Sequence, residues 1–166
     1  MGYGAQPTLG PQEVDFLKTR TLSIVAASRG PDNIPAVSRS LGCRLSPDSQ
    51  QITLFFPQQD ARELLDCIGA TGTLAAIFSL PRSHQALQLK GAAVVAGKPL
   101  ETDFALVDSY CAAFVAHVEN LGYTRHAVET MLAFDHQDLV AVAFTPSALF
   151  SQTPGPNAGR AIGAPR

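Results

Sequence analysis

The chain predicts a mainly β domain, six antiparallel strands of a barrel with helices added late in the sequence. Two observations carry this. Short apolar runs are stopped by Gly/Pro/Asn/Asp/Ser clusters, and the connections between the first three runs are too short for helical crossovers. Helical periodicity, by contrast, dominates only between residues 101 and 134. In order, Thr21–Ser28 is the first run, stopped by Arg29-Gly30-Pro31-Asp32-Asn33. Ala36–Leu45 follows, then a turn at Ser46–Ser49, then Gln51–Phe56 closed by Pro57. Asp60, with Glu63 three residues on, has the spacing of a helix N-cap; Leu64, Leu65 and Ile68 supply an apolar face and Gly69 the stop. Leu74–Leu80 and Gln85–Ala96 are the next strands, and Gly91 inside the second marks a bulge or a close approach.

Glu101–Leu121 reads as a long helix, with Phe104, Val107, Cys111, Phe114, Val115, Val118 and Leu121 at helical spacing and Gly122 as the stop. A shorter helix covers about 124–133. Leu139–Phe144 is the last strand, broken at Pro146 and resumed at Ala148–Gln152. Residues 1–11 read as a loose tail, 12–152 as one domain with a helical insertion at about 101–134, and 153–166 as an extended C-terminal arm.

Composition narrows the function. Hydrophobic residues make up 46% and charged residues 16%, which excludes a disordered chain and a coiled coil. Twelve Lys and Arg against fourteen Asp and Glu leave no basic excess for general nucleic-acid binding. A surface so poor in charge points to self-association. No apolar run approaches the ~20 residues of a membrane span, and the N-terminus lacks the features of a secretory signal. Cys43, Cys67 and Cys111 are odd in number and widely spaced, as expected of reduced thiols in the cytoplasm.

Familiar catalytic motifs are missing, and His84, His117, His126 and His136 lack metal-ligand spacing, so no metal site is expected. The arginines are more informative. Arg39 and Arg44 share one strand, and Arg62 falls in the first turn of the next helix, where free N–H groups and a guanidinium suit a phosphate. Five residues apart on a regular strand, Arg39 and Arg44 would face opposite ways; a bulge at Gly42 would turn them to one side. On the Gln85 strand, Leu87 and Leu89 face the core, while Gln88 and Lys90 share the other face.

Taken in order from about 14 to 152, these stretches resemble the pyridoxamine 5′-phosphate oxidase-like family, the FMN-binding split barrels. The resemblance rests on an N-terminal helix (Glu13–Thr19), TLSIVAAS, RSLGCR, QITLFFP, DARELLDCIG, TLAAIFSLP and HQALQLKGAAVVAG. It implies a six-stranded antiparallel split β-barrel binding FMN between the subunits of a homodimer. It assigns Arg39 with the adjacent Ser40, Arg44 and Arg62 to the phosphate and flavin edge, and Phe56 to the place where the third strand passes the flavin. Gln85 or Gln88 would face the ring, and Gln88 is preferred because it shares a face with Lys90. The family's oxidases carry a C-terminal Arg-x-His segment and a Trp near the flavin. This chain has no Trp and no His after His136, so oxidation of pyridoxine phosphate is not implied. The expectation is an FMN-dependent oxidoreductase acting on a small molecule, with no assignable proton-transfer residue. The alternatives on the same fold are a non-catalytic flavin or haem carrier, with His84 as the axial candidate, and a deazaflavin (F420)-dependent reductase.

Overall fold

The computed structural model describes residues 9–162. Most of the expected N-terminal tail, and residues 163–166 of the arm, lie outside the described residues. Helix α1 (Pro11–Leu17) opens this part of the chain and leads into β1 (Ser23–Arg29). β2 (Pro35–Arg39), β3 (Cys43–Leu45) and β4 (Ile52–Pro57) follow, then α2 (Arg62–Thr71), β5 (Thr73–Ser79) and β6 (Ala86–Gly97). The chain continues with α3 (Glu101–Glu119), α4 (Arg125–Met131), a 3-10 turn at His136–Asp138, β7 (Leu139–Ser151) and β8 (Ala161–Ile162).

All strands belong to one antiparallel sheet in the order β2-β1-β5-β6-β7-β4-β3, with β8 added to β7. Among the described residues the sheet is curled and open, with eight strands rather than the six expected, and four helices accompany it. Residues 153–159 double back, with the Gly159 N–H donating to the Ser151 carbonyl at 2.7 Å, and this return creates β8. The other extra strand arises where Ala36–Leu45 breaks at Ser40–Gly42. There the Ser40 N–H donates to the Ile24 carbonyl (3.0 Å) and the Leu41 N–H to the Phe55 carbonyl (2.8 Å). The chain thus leaves the β1 side of the sheet for the β4 side within three residues. Gly42, at φ +129, makes that corner, and Tyr110 packs where a side chain at 42 would stand.

The core follows the strand alternation. Ile24, Ala26, Ala76, Phe78, Leu87 and Leu89 point inwards and are buried, joined by Leu64 and Ile68 of α2. β4 is buried along its whole length. Two features of α2 differ from expectation. Its N-cap is Ala61 rather than Asp60, with no side-chain cap. The helix also runs through Gly69 and stops at Gly72, whose left-handed φ of +64 lets its N–H close on the Ile68 carbonyl at 2.7 Å. Pro146 does not break β7. The β6–β7 register shifts at Lys90/Gly91, pairing Gly91 with Pro146 and Lys90 with Ala148, so Ser147 is the extra residue of a bulge. A proline, which has no N–H, is tolerated at such a bulge.

Candidate functional site

The strand-to-strand register carries Arg39 across the sheet to Gln88. Arg39 pairs with Val25, Val25 with Ile77, Ile77 with Gln88, and Gln88 with Phe150. One step along the strands, Val37, Ala27, Ala75, Lys90 and Ala148 form a parallel row. Directly opposed residues of a sheet share a face, so both rows lie on the outer face, opposite the core. This face is mostly apolar and, at Val37, 63% exposed. Its polar groups are few. Arg39 donates to Ser23 Oγ at 2.9 Å, Gln88 accepts from Gln152 Nε2 at 3.0 Å, and the Lys90 ammonium lies 5.1 Å from the centre of the Phe150 ring. A cavity of about 660 Å³ runs along Ala27, Ala75, Lys90 and Gly91.

Arg39 and Arg44 do turn the same way, and α3 is what they meet. Arg44 donates from Nε to one Asp103 oxygen at 2.7 Å and from Nη2 to the other at 3.3 Å. The Arg39 guanidinium lies 6.0 Å from the Phe114 ring centre. Asp103 and Phe114 are three helical turns apart, on the stripe of α3 that also carries Tyr110. Asp103 is 1% exposed, and its carboxylate also accepts the Leu100 N–H at 2.8 Å. The Tyr110 hydroxyl donates to the Leu22 carbonyl, and burial pushes this phenol well above its ordinary pKa.

The remaining candidates lie elsewhere. Arg62 lines a separate cleft of about 630 Å³ with Gln58, Gln59, Lys98 and Gln137, at the start of α2. Ser40 is fully buried: its hydroxyl donates to the Gly42 or Phe55 carbonyl and accepts the Phe55 N–H, pinning the strand crossing. Phe56 is fully buried in β4. Neither presents an atom to a ligand at the surface. Three of the seven candidates, Arg39, Gln88 and Lys90, therefore share the outer face. His84 sits exposed, with φ +59, in the turn between β5 and β6. The sequence reading passed over Asp103, which fixes Arg44, and Lys98 beside Arg62. Asp103 had a legible signal, because an acid in the first turn of a helix suits the helix dipole.

Two of the thiols, Cys43 and Cys111, are not poised for nucleophilic work. All three cysteines are free. Burial raises Cys43 to about 12, and burial with the nearby Asp108 raises Cys111 to about 11. A raised thiol pKa leaves the unreactive protonated form dominant at neutral pH. The folded protein at pH 8 should accordingly spare Cys43 and Cys111 from a disulfide reagent, with labelling of both only on unfolding. Rapid native modification of either, located by mass spectrometry, would contradict this.

No family model and no curated protein matches the chain by sequence. Solved structures match it in fold. HupZ of Group A Streptococcus superposes with a TM-score of 0.54 at 15% identity, covering 90% of this chain and 99% of that one. An F420 reductase gives 0.52 at 17% identity, over 80% of this chain and 92% of its own. A pyridoxamine 5′-phosphate oxidase-related, FMN binding protein from Nostoc punctiforme gives 0.50 at 14% identity, over 90% and 88%. The likeness spans nearly the full length of each of these structures. With its open, curled antiparallel sheet, the chain has the same fold as these structures, a split barrel.

Proposed function

We propose that the chain is an FMN-binding flavoprotein, an oxidoreductase that acts on a small molecule as a cytoplasmic homodimer. The observation that carries this reading is the outer sheet face on which the register lines up Arg39, Gln88 and Lys90 over an apolar floor. The residues present suit FMN. Val25, Ala27, Ala75 and Ile77 offer a flat surface for a planar ring, and two cations and an amide flank it. When bound, the flavin supplies hydride or electron transfer, which no side chain of the protein provides.

The chain's own residues bind and orient. Arg39 and Lys90 contribute positive charge towards a phosphate, and the Gln88 amide offers a donor and an acceptor to a polar ring edge. A second copy laid over the apolar face would exclude water from it, and the low surface charge favours that pairing. Arg62, in its own cleft at the α2 N-terminus, and Arg44, shared with Asp103, remain proposed phosphate contacts of the assembled dimer. The three free thiols support a reducing compartment.

A deazaflavin is the second reading, favoured by the fold match to an F420 reductase. It would use the same face. Haem has less support, because His84 is exposed in a turn. The absorption spectrum of the purified protein, with FMN and F420 titrations and light scattering, tests the proposal. Arg39→Ala should weaken FMN binding about tenfold, the usual effect of losing one hydrogen bond from a charged group. Equal affinity of Arg39→Ala and wild type would remove Arg39 from the site. A Soret band in place of a flavin spectrum would replace FMN with haem.

A further inference from the structure

A different cavity stands apart from the outer face by its charge. It lies between the α1–β1 connection, β3 and α3, with a volume of about 330 Å³. Lys18, Arg20 and Arg44 line it, and no Asp or Glu does. These are three of the chain's twelve Lys and Arg. The rest of the wall includes Leu17, Ile24, Leu45, Leu106 and Tyr110. The Tyr110 hydroxyl already donates to the Leu22 carbonyl and the Cys43 thiol to the Leu17 carbonyl, so both present mainly apolar surface to a ligand.

Only one of the three cations is neutralised. Arg44 is held by Asp103 from outside the lining. Arg20 donates to Ser109 Oγ, a neutral partner. Among the described residues neither Lys18 nor Arg20 makes an ion pair. Gathering like charges around one cavity raises the local potential and favours an anion. Leucine and tyrosine walls add apolar contact that an inorganic ion cannot use.

We infer that this cavity binds a small organic anion, one carboxylate or phosphate head group on an apolar body. The head group meets Lys18 and Arg20, with Arg44 behind them, and the body lies against Leu106 and Tyr110. At 330 Å³ the cavity is at the small end of ligand pockets. The assignment shares only Arg44 with the flavin reading, since neither Lys18 nor Arg20 belongs to the outer face.

Calorimetric titration with phenyl phosphate, benzoate, inorganic phosphate and benzyl alcohol tests it. Phenyl phosphate or benzoate should bind, and the head group alone and the neutral body alone should each bind at least about tenfold more weakly. Lys18→Ala/Arg20→Ala, a change of two exposed side chains, should weaken the aromatic anion about tenfold or more while leaving FMN affinity unchanged. Leu106→Trp should block binding by filling the cavity with both cations still in place. Melting by circular dichroism confirms that each variant is folded. The inference is overturned if neither aromatic anion binds, if the double variant binds as wild type does, or if inorganic phosphate binds as well as phenyl phosphate. Competition between FMN and phenyl phosphate would also overturn it, by giving the cavity to the flavin. Absence of FMN binding alone would sink only the flavin reading.

Discussion

Gly91→Val should lose about 3 kcal/mol of stability or fail to fold, because an added side chain here meets backbone on the opposite strand. A Cβ at Gly91 would stand 2.0 Å from the Thr145 carbonyl oxygen and 2.9 Å from both Pro146 Cα and Ser147 N. Real Cβ atoms do not approach backbone so closely, and no rotamer change relieves a main-chain contact. The strands must part at the bulge that joins β6 to β7, the two longest in the sheet. Ala92→Val is the control. It adds apolar volume at an exposed neighbour and should change stability by less than about 0.5 kcal/mol. Urea unfolding of both variants measures the contrast. Equal midpoints would mean that the bulge adapts.

Arg44→Met should also be costly, by about 3 kcal/mol, because it leaves the Asp103 carboxylate 1% exposed without its cation. The partner residues lie 59 positions apart, so the pair ties β3 to the N-terminal turn of α3. Asp103→Leu removes the pair from the other side and also takes the acceptor from the Leu100 N–H. The double variant Arg44→Met/Asp103→Leu should cost less than the sum of the two single changes, since no buried charge is left uncompensated. Thermal melts of the four proteins give the coupling directly. A double variant at the plain sum would show that the two groups act separately.

Much of the fold was legible because it is local. Alternation along Ala86–Lys90 separated Leu87 and Leu89 from Gln88 and Lys90, and the structure keeps that division. Gly91 was marked by its place inside an apolar strand, and it is the site of the bulge. The limits of α2 were less legible. Asp60 and Gly69 are both good boundary residues, but neither position takes up cap geometry, and Gly72 is the glycine that turns left-handed at the helix end.

The buried stripe of α3 shows a different limit. Periodicity selected its apolar residues but missed Asp103 and Tyr110, which are buried because Arg44 and the Leu22 carbonyl wait for them on other elements. Polar residues interrupt an apolar pattern whether they face solvent or a distant partner, and spacing alone does not tell the two apart. Leu121 fits the pattern and yet lies beyond the end of the helix, 38% exposed.

Legible from the chain alone were the apolar runs that become strands, the places of the helices, the inward and outward sides of β6, and Gly42 as the point where the second run departs from regular alternation. These follow from backbone geometry within a few residues. What each arginine meets is set instead by contacts between elements. Arg39 joins a row that β1 and β5 carry across to Gln88, Arg44 is taken by Asp103, and Arg62 stands in a cleft of its own. The register of neighbouring strands and the docking of α3 settle these partners, and both arise from contacts between residues far apart in the chain.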